Sequence, residues 1–302
     1  MQIIRRFCPS SNPTPLVLAL GNFDGGHLGH QALLQRLAIP KDLQRAVMTF
    51  EPHPLSVLRP NVNITRLYGV REKFIQLGKY AEIIYTPRFT AALAATTAED
   101  FAELLFDRLQ ARHIIIGENF RFGKKRRGDA KMLRQLSKAH NATVEATPLF
   151  AVNDEPVSSG RIRQHLQADD FTAATAMLGR PWTICGKVPK GRGLGRQLGV
   201  PTANVRISFT PPCRGIFAAK ATLEGAKPMS AALSIGHNPT VNDKDGKLHV
   251  EAHILNFDGE LYGRFLCLEP LKKIRNEKKY DNLSELKDAI FQDIKSINDF
   301  LL

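Results

Sequence analysis

The sequence has few of the features that mark secreted, membrane-spanning or disulfide-framework proteins. Its four cysteines, Cys8, Cys185, Cys213 and Cys267, are isolated from one another. Without the close pairs typical of structural zinc or a redox dithiol, we expect reduced thiols in the core or at the surface. No apolar run approaches the length of a membrane span, and the N-terminus lacks the apolar segment of a signal peptide. We therefore predict a cytoplasmic protein with no membrane partner.

Acidic residues are scarce relative to basic ones. The chain has 29 Asp and Glu against 42 Lys and Arg, which gives a net charge of +13. Such an excess attracts polyanions of any kind, from nucleic acids to nucleotide phosphates. The densest basic cluster, RFGKKRR at residues 121–127, is equally well explained as a solvated loop.

No internal repeat is present, and the first half alternates short apolar runs with amphipathic stretches. The apolar runs that read as buried strands are LVLAL at 16–20, AVMTF at 46–50, IIY at 83–85 and HIIIG at 113–117. Thr97 and Asp100 form a capping pattern ahead of the helical stretch FAELLFDRLQ. Strands that alternate with helices predict an α/β fold with a doubly wound parallel sheet over residues 1–180.

The pattern changes after about residue 178. Short alternating strands and glycine-rich turns follow, with LHVEAHIL at 248–255 the clearest alternation. A stripe of Leu and Ile at three- and four-residue spacing then marks a helix at the C-terminus. We predict a second domain, residues 181–302, with an antiparallel β-barrel and a terminal helix; a β-sandwich is the alternative.

The stretch GNFDGGHLGH at 21–30 directly follows the first apolar strand and precedes a helical pattern. In an open parallel sheet, ligands bind where strands end and helices begin, because free backbone N–H groups and the helix dipole favour anions there. His27 and His30 would lie on the same side of the first helical turn and could donate hydrogen bonds to phosphate oxygens. Ordinary helix capping is the alternative explanation for an isolated HxGH motif.

GNFDGGHLGH resembles the HxGH signature of nucleotidyltransferases, in the form found in bacterial bifunctional riboflavin kinase/FMN adenylyltransferases, the FAD synthetases. GENFRFGKKRRGD at 117–129 and VSSGRIRQHL at 157–166 agree with further blocks of that family in order and spacing. Two positions depart from the family pattern. Gly26 stands where an apolar residue such as valine is common, and Gly160 replaces the usual threonine of the second motif. We expect these changes to weaken adenylyl transfer without abolishing it.

The resemblance implies roles for residues in the first half. His27 and His30 would be catalytic and contact the ATP phosphates. Asn119 and Arg121 would line the flavin-nucleotide and adenine region. The other residues that the resemblance places around ATP and its phosphates are Asn22, Phe23, Asp24, Gly29, Ser158, Ser159 and Arg161. Direct attack of the FMN phosphate on ATP needs positioning and charge stabilisation above all, without a thiol nucleophile or a carboxylate pair.

A second glycine-rich stretch, GKVPKGRGLGRQLGVPTANV at 186–205, opens the C-terminal half. A glycine-rich flap over phosphates, with Thr202 and Asn204 as oxygen ligands to Mg²⁺, would suit phosphoryl transfer; a mobile hairpin loop is the alternative. PTAN resembles the riboflavin kinase signature. Later blocks, SIGHNPTVND at 234–243, VEAHILNFDGELYG at 250–263 and IRNEKKYDNLSELK at 274–287, resemble the same module. The resemblance thus covers essentially the whole chain.

In this module the resemblance makes Glu251 the general base that accepts a proton from the ribityl hydroxyl of riboflavin. A solvated surface strand would show the same alternation as the strand that carries Glu251. Arg275 would lie near the flavin or the nucleotide, although a surface charge run is the alternative. The kinase residues expected to bind nucleotide are Gly191, Gly193, Gly195 and Pro201.

The complete prediction is a bifunctional enzyme that phosphorylates riboflavin to FMN and then adenylylates FMN to FAD, with ATP as co-substrate and Mg²⁺ in both steps. Its partners would be riboflavin, FMN, FAD and ATP, with no nucleic acid, and a homo-oligomer is possible. One alternative is a working kinase whose first site is slow or serves another acceptor. A second is a basic nucleic-acid-binding or flavin-sensing protein that uses RFGKKRRGD as its contact surface.

Overall fold

A computed structural model of the protein describes residues 1–8, 14–190, 199–236 and 248–301. The chain divides into two compact units. The first unit comprises Met1–Ile64 and Val70–Ser159, and the second comprises Thr65–Gly69 and Gly160–Leu302. The boundary predicted at residue 180 concerns which residues carry each activity, and it stays a prediction.

A parallel sheet forms the centre of the first unit. Over residues 1–8 and 14–159, the strands that pair in parallel are β1 (Gln2–Ile4), β2 (Leu16–Leu20), β3 (Gln44–Met48), β4 (Ile83–Tyr85), β5 (Ala111–Gly117) and β6 (Thr143–Thr147). Their order across the sheet is β1-β4-β3-β2-β5-β6. The chain leaves β2 toward β3 on one side and later returns to its other side as β5, so the strand order reverses at β2.

Helices cover both faces of this sheet. The helices of the first unit are α1 (Leu28–Gln35), α2 (Pro54–Leu58), α3 (Val70–Leu77), α4 (Ala91–Ala95), α5 (Ala98–Glu103) and α6 (Ala130–Ser137). A short hairpin of β7 (Ala151–Val152) and β8 (Glu155–Pro156) follows β6. Along β2, Leu16, Leu18 and Leu20 belong to one buried cluster, and Val17 and Ala19 belong to another. Successive side chains of a strand point to opposite faces, so both faces are covered and the doubly wound sheet is confirmed.

The predicted helix over FAELLFDRLQ forms, but it has two parts. The hydroxyl of Thr97 accepts the backbone N–H of Asp100 at 3.0 Å, which confirms the capping pattern. Helix α5 ends at Glu103, and a π-helical turn continues over Leu104–Arg108. The apolar spacing indicates a helix without distinguishing an α-helix from such a turn.

The second unit is built on an antiparallel sheet. Helices α7 (Ser159–Gln167) and α8 (Phe171–Leu178) lead into it. Over residues 179–190, 199–236 and 248–301, its strands are β9 (Ile184–Lys187), β10 (Ala203–Asn204), β11 (Gly215–Leu223), β12 (Met229–Gly236), β13 (His249–Ile254) and β14 (Phe265–Arg275). Their order is β10-β13-β12-β11-β14-β9. A bridge between Lys187 and Arg206 joins the two edges, so the sheet curls into the predicted barrel.

The chain ends in the predicted helix, α9 (Leu283–Leu301). Ile297 of α9 is fully buried and packs with Ile294 against Ala218 of β11 and Ala232 of β12. The helix therefore covers the sheet at this contact. Within the described ranges, no helix has both the length and the apolar character that a membrane crossing requires.

The cysteines are a correction. Cys185 on β9 lies directly opposite Cys267 on β14, and the two form a disulfide, whereas the sequence predicted four reduced thiols. The residues are 82 positions apart, and only the pairing of the two strands brings them together. Spacing along the chain carries no sign of this register. Cys8 and Cys213 are free thiols.

Candidate active sites

The turn at residues 21–30 leaves the carboxyl end of β2, the strand at which the sheet order reverses. In open α/β sheets the crevice at this point is the usual binding site, because adjacent connections run to opposite faces and leave room between them. The backbone N–H of Gly21 still bonds to the Met48 carbonyl of β3 at 3.1 Å. The turn is therefore tied to the sheet at its start and runs into α1 at its end.

Left-handed backbone conformations shape the turn. Phe23, Gly25 and Gly26 have φ values of 51°, 85° and 48°. Glycine adopts such angles without cost, whereas a β-branched residue is strained there. Gly26, one of the two departures from the family pattern, thus suits the conformation that this chain adopts.

His27 and His30 stand together at the start of α1. His27 is the N-cap, and its Nδ1 accepts the backbone N–H of His30 at 3.3 Å. The two rings stack with centroids 3.6 Å apart and planes 16° from parallel. The ring of Phe23 packs edge-on against His30 at 5.2 Å. The expected placement on one side of the first turn is confirmed. His27 does cap the helix, as the alternative explanation predicts, but its side chain is buried instead of facing water.

The second nucleotidyltransferase-like motif reaches the same turn. The hydroxyl of Ser159 donates to the backbone carbonyl of Asp24 at 2.7 Å, across 135 positions of sequence. Asp24 is 2% exposed, and Ser158 is half-buried. Arg161 lies in the first turn of α7 within the second unit, and its predicted contact with the phosphates stays a prediction.

Gly29 lies where a side chain would crowd His27. A Cβ atom at Gly29 would be 3.3 Å from Nδ1 of His27 and 3.4 Å from Cβ of Phe150. Phe150, which the sequence did not single out, is 39% exposed despite its apolar ring. The sequence signal that could have identified Phe150 is an apolar residue shortly before the second motif, VSSGRIRQHL.

Asn119 and Arg121 follow the carboxyl end of β5, the neighbour of β2, and both are exposed. Nη1 of Arg121 lies 3.3 Å from Oδ2 of Asp129. Asp129 caps α6 by accepting the backbone N–H of Met132, and this hydrogen bond lowers the pKa of the carboxyl, with a smaller contribution from Arg121. The structure thus brings both predicted residues to the same edge of the sheet as the histidine turn.

In the second unit, Glu251 is at the centre of a row of polar side chains. It pairs directly with Asn204 of β10 on one side and Ser234 of β12 on the other. Directly opposite residues in antiparallel strands point to the same face, so these three side chains are neighbours. Val250 and Ala252 point to the other face and are buried. The alternation predicted for this strand is confirmed.

The PTAN segment is anchored beside this row. A ring nitrogen of His253, Nδ1, donates to the carbonyl of Pro201 at 2.8 Å, and Thr202 is exposed. The predicted flap residues Gly191, Gly193 and Gly195 lie outside the described residues. In the part of the chain that the structure describes, no three His, Cys, Asp or Glu side chains are grouped to hold a metal ion.

Arg275 lies in the same row across the sheet. Ile216 of β11 pairs with Ser234 on one side and with Arg275 of β14 on the other. The guanidinium makes two hydrogen bonds to the carboxylate of Asp293 on α9, at 2.8 and 2.7 Å. Burial alone would lower the pKa of Arg275, but the hydrogen bonds and charge of Asp293 outweigh it and raise that pKa above its ordinary value. The predicted contact of Arg275 with flavin stays a prediction.

These sites define a class of protein. A histidine turn at the switch point of a parallel sheet suits nucleotidyl transfer, because its N–H donors can face a polyphosphate. A closed antiparallel sheet that presents a carboxylate beside an amide and hydroxyls suits phosphoryl transfer to an alcohol. The chain is therefore built as an enzyme that handles nucleoside phosphates in two units.

Comparison with known proteins identifies the family. A family model described as FAD synthetase matches residues 10–161, and one described as riboflavin kinase matches residues 178–301. The bifunctional riboflavin kinase/FMN adenylyltransferase of Escherichia coli (strain K12) is 36% identical over 290 residues, which cover 94% of this chain and 92% of that protein. The Bacillus subtilis (strain 168) protein of the same description is 35% identical over 289 residues, which cover 92% of this chain and 90% of that protein. The chain belongs to the family of bifunctional riboflavin kinase/FMN adenylyltransferases.

A solved structure agrees in fold over both units. A crystal structure described as a macrolide-efflux protein from Streptococcus pneumoniae has a TM-score of 0.78 and 27% sequence identity, with 99% of each chain covered. We take the fold alone from this likeness.

Proposed function

We propose that residues 1–180 adenylylate FMN to FAD and that residues 181–302 phosphorylate riboflavin to FMN, with ATP as the co-substrate of both reactions. The observation that carries the proposal is the hydrogen bond from Ser159 to the Asp24 carbonyl. It joins the two nucleotidyltransferase-like motifs three residues from His27. If the HxGH motif served only as a helix cap, a hydrogen bond to the distant serine motif would not be expected.

In the adenylyl transfer, an FMN phosphate oxygen attacks the α-phosphorus of ATP, the bond from that phosphorus to the bridging oxygen breaks, and pyrophosphate leaves. Negative charge grows on the phosphate oxygens, and His27 and His30 stabilise it as hydrogen-bond donors. Each such donor is typically worth about 3 kcal/mol. The N-terminal end of α1 adds its dipole to the same effect.

The remaining residues of this site position the two anions. Asn22, Phe23, Asp24 and Gly29 form the walls of the turn. Ser158, Ser159 and Arg161 hold the phosphates, and Asn119 and Arg121 hold the flavin nucleotide or the adenine. Positioning is the larger part of catalysis here, because no covalent intermediate is needed.

In the phosphorylation, the ribityl hydroxyl of riboflavin attacks the γ-phosphorus of ATP while its proton passes to the carboxylate of Glu251, and ADP leaves. The row that contains Glu251 supports this role because Asn204 and Ser234 flank the carboxylate. Pro201 and the glycines Gly191, Gly193 and Gly195 would cover the nucleotide, and Arg275 would contact the flavin.

Thr202 and Asn204 are the proposed ligands of Mg²⁺. Mg²⁺ prefers oxygen ligands and retains several waters, so a hydroxyl, an amide oxygen and the ATP phosphates form a suitable donor set. When bound, the ion would neutralise charge on the β- and γ-phosphates. The predicted cytoplasmic location and homo-oligomer remain predictions.

Chromatography of the flavins tests the proposal. Purified protein is incubated with ATP and Mg²⁺, once with riboflavin and once with FMN. We expect FAD in both reactions. His30→Ala should lower FAD formation from FMN by about 10²–10³-fold, while Glu251→Gln should lower FMN formation from riboflavin by about 10²–10⁴-fold. Each variant's other reaction serves as its folding control.

Two results would contradict the proposal. FMN formed from riboflavin by the wild-type protein, with FMN itself left unconverted, would leave a kinase alone. No product in either reaction would favour the nucleic-acid-binding alternative, which salt-dependent binding of RNA or DNA would then test.

A further inference from the structure

Lys73 is a buried cation that no step of the two reactions uses. It lies on α3, and its side chain is 1% exposed. A buried charge must be paired and hydrogen-bonded to be tolerated. Its Nζ lies 2.9 Å from Oε1 of Glu51 and donates to the hydroxyl of Thr49 at 3.0 Å. Thr49 and Glu51 both follow the carboxyl end of β3, the neighbour of β2.

The Thr49 hydroxyl links Lys73 to the turn that carries His27 and His30. It donates to the backbone carbonyl of Asn22 at 3.0 Å. An ammonium group can only donate, and a hydroxyl has a single proton. The hydroxyl therefore accepts from Lys73 and has its one proton available for Asn22. Lys73 thus fixes the direction of the hydrogen bond that holds the turn.

The held carbonyl lies at a sensitive point of the turn. Asn22 precedes Phe23, whose φ of 51° is unusual for a residue with a side chain. Such conformations persist only where the surroundings enforce them. From Phe23 the chain runs through two more left-handed residues, Gly25 and Gly26, to the stacked rings of His27 and His30. A shift at Asn22 would therefore displace both imidazoles.

We infer that Lys73 is a positioning residue for adenylyl transfer, acting through Thr49 on the backbone of the turn that carries His27 and His30. The inference rests on the adenylyl transfer proposed for this unit. It assigns different effects to two contacts of Lys73, those with Thr49 and Glu51. The Thr49 contact affects the rate, whereas the Glu51 contact balances the buried charge and affects stability.

Three substitutions separate these effects. Thr49→Val removes the donor to Asn22 and leaves the Lys73–Glu51 pair. Glu51→Gln removes the charge partner and leaves the Thr49–Asn22 hydrogen bond. Lys73→Met removes both contacts at similar side-chain length. The matched control is Lys79→Met, because Lys79 is an exposed lysine just beyond the same helix that bonds only to Gln76 among the contacts described.

The experiment measures kcat and KM for FMN adenylylation, kcat for riboflavin phosphorylation and the melting temperature of each full-length variant. We expect Thr49→Val and Lys73→Met to lower kcat for adenylylation by about 100-fold, the cost typical of a misplaced reacting group. KM should change little, because the loss occurs in the transition state. Riboflavin phosphorylation should be unchanged. Glu51→Gln should lower the melting temperature, with only a small change in kcat for adenylylation.

Three results would overturn the inference. If Thr49→Val keeps the wild-type kcat, or if kcat in all three variants falls only in step with the folded fraction, Lys73 has a purely structural role. Thr49→Val decides the matter even if Lys73→Met does not fold. If the wild-type protein forms no FAD from FMN, the proposed adenylyl transfer fails, and the positioning role fails with it.

Discussion

At the scale of single residues, one hydrogen bond of His27 determines which of its two ring nitrogens carries the proton. Its Nδ1 accepts the backbone N–H of His30, so the proton of the neutral imidazole lies on Nε2. The proposed contact of His27 with phosphate would therefore be made through Nε2–H. Capping and phosphate binding, which the sequence presents as alternatives, are compatible roles of the same ring.

Cys213 gives a prediction about pH. Burial, with a further contribution from the charge of Asp169, raises the pKa of this thiol from 9.0 to about 12. Below pH 9 the folded and unfolded states both hold the proton. Between pH 9 and about 12 only the folded state holds it, so the free energy of unfolding falls as pH rises, by roughly 1.4 kcal/mol per pH unit.

Fluorescence can measure this effect, because the single tryptophan of the chain, Trp182, lies buried in the same unit as Cys213. Denaturant titrations of the wild type and of Cys213→Ala at several pH values above 9 give the two slopes. We expect Cys213→Ala to be less stable at neutral pH, because it leaves a cavity, and to lose less stability as pH rises. Equal slopes would show that Cys213 does not titrate differently on unfolding.

At the scale of elements, Gly123 fixes the basic loop that begins at Arg121. Hydrogen bonds between Phe122 and Gly128 close the loop, and Gly123 has a φ of 69°. A Cβ atom at this position would come within 2.8 Å of the backbone of Ala98 at the start of α5. We expect Gly123→Ala to destabilise the first unit by at least about 1–2 kcal/mol, the cost of the left-handed conformation alone.

Thermal inactivation of FAD formation measures this loss. Gly117→Ala is the matched control, because a Cβ atom at Gly117 would meet no atom within 4 Å. We expect inactivation at a lower temperature for Gly123→Ala and at an unchanged temperature for Gly117→Ala. Similar inactivation temperatures for the two variants would mean that the loop readjusts at no cost.

Elements with a strong local signal could be predicted from the sequence. The bounds of β2 at Leu16–Leu20 follow from an uninterrupted apolar run, because a strand covered on both faces has no polar side. The alternation of β13 is equally clear, because one of its faces is buried and the other carries Glu251. The pairing of His27 with His30 is local as well, since they lie three positions apart at the start of one helix.

Contacts that depend on the register between distant strands could not be predicted. The Cys185–Cys267 disulfide requires the pairing of β9 with β14. The hydrogen bonds from Lys73 through Thr49 to Asn22 connect one helix and two strand ends. In the sequence, Lys73 is one more charged residue on an amphipathic helix, and no spacing rule marks it as buried.

At the scale of the whole molecule, the second unit contains a short segment from early in the chain, far in sequence from the rest of that unit. Residues 65–69 belong to it although the residues on both sides belong to the first unit. The indole N–H of Trp182 donates to the carbonyl of Leu67 at 2.9 Å, and Arg180 lies over the ring of Tyr68 at 5.1 Å. Burial lowers the pKa of Arg180 to about 10. A change of composition along the sequence cannot reveal so short a segment.

The net charge of +13 gives a prediction that distinguishes the two reactions. FMN carries a phosphate and riboflavin is neutral, whereas ATP is common to both reactions. Long-range attraction by the basic chain should therefore favour FMN over riboflavin at low ionic strength. Salt screens this attraction, since the Debye length falls from about 10 Å at 0.1 M to about 3 Å at 1 M.

We expect KM for FMN to rise by about tenfold between low salt and 1 M salt at saturating ATP, within the range of electrostatic effects on association. KM for riboflavin should stay nearly constant under the same conditions, and it serves as the internal control for effects of salt on the fold or on ATP. Steady-state rates measured from separated flavins give both constants. An equal rise in the two values would show a general effect of salt on the protein, and the excess positive charge would then have no special part in capturing FMN.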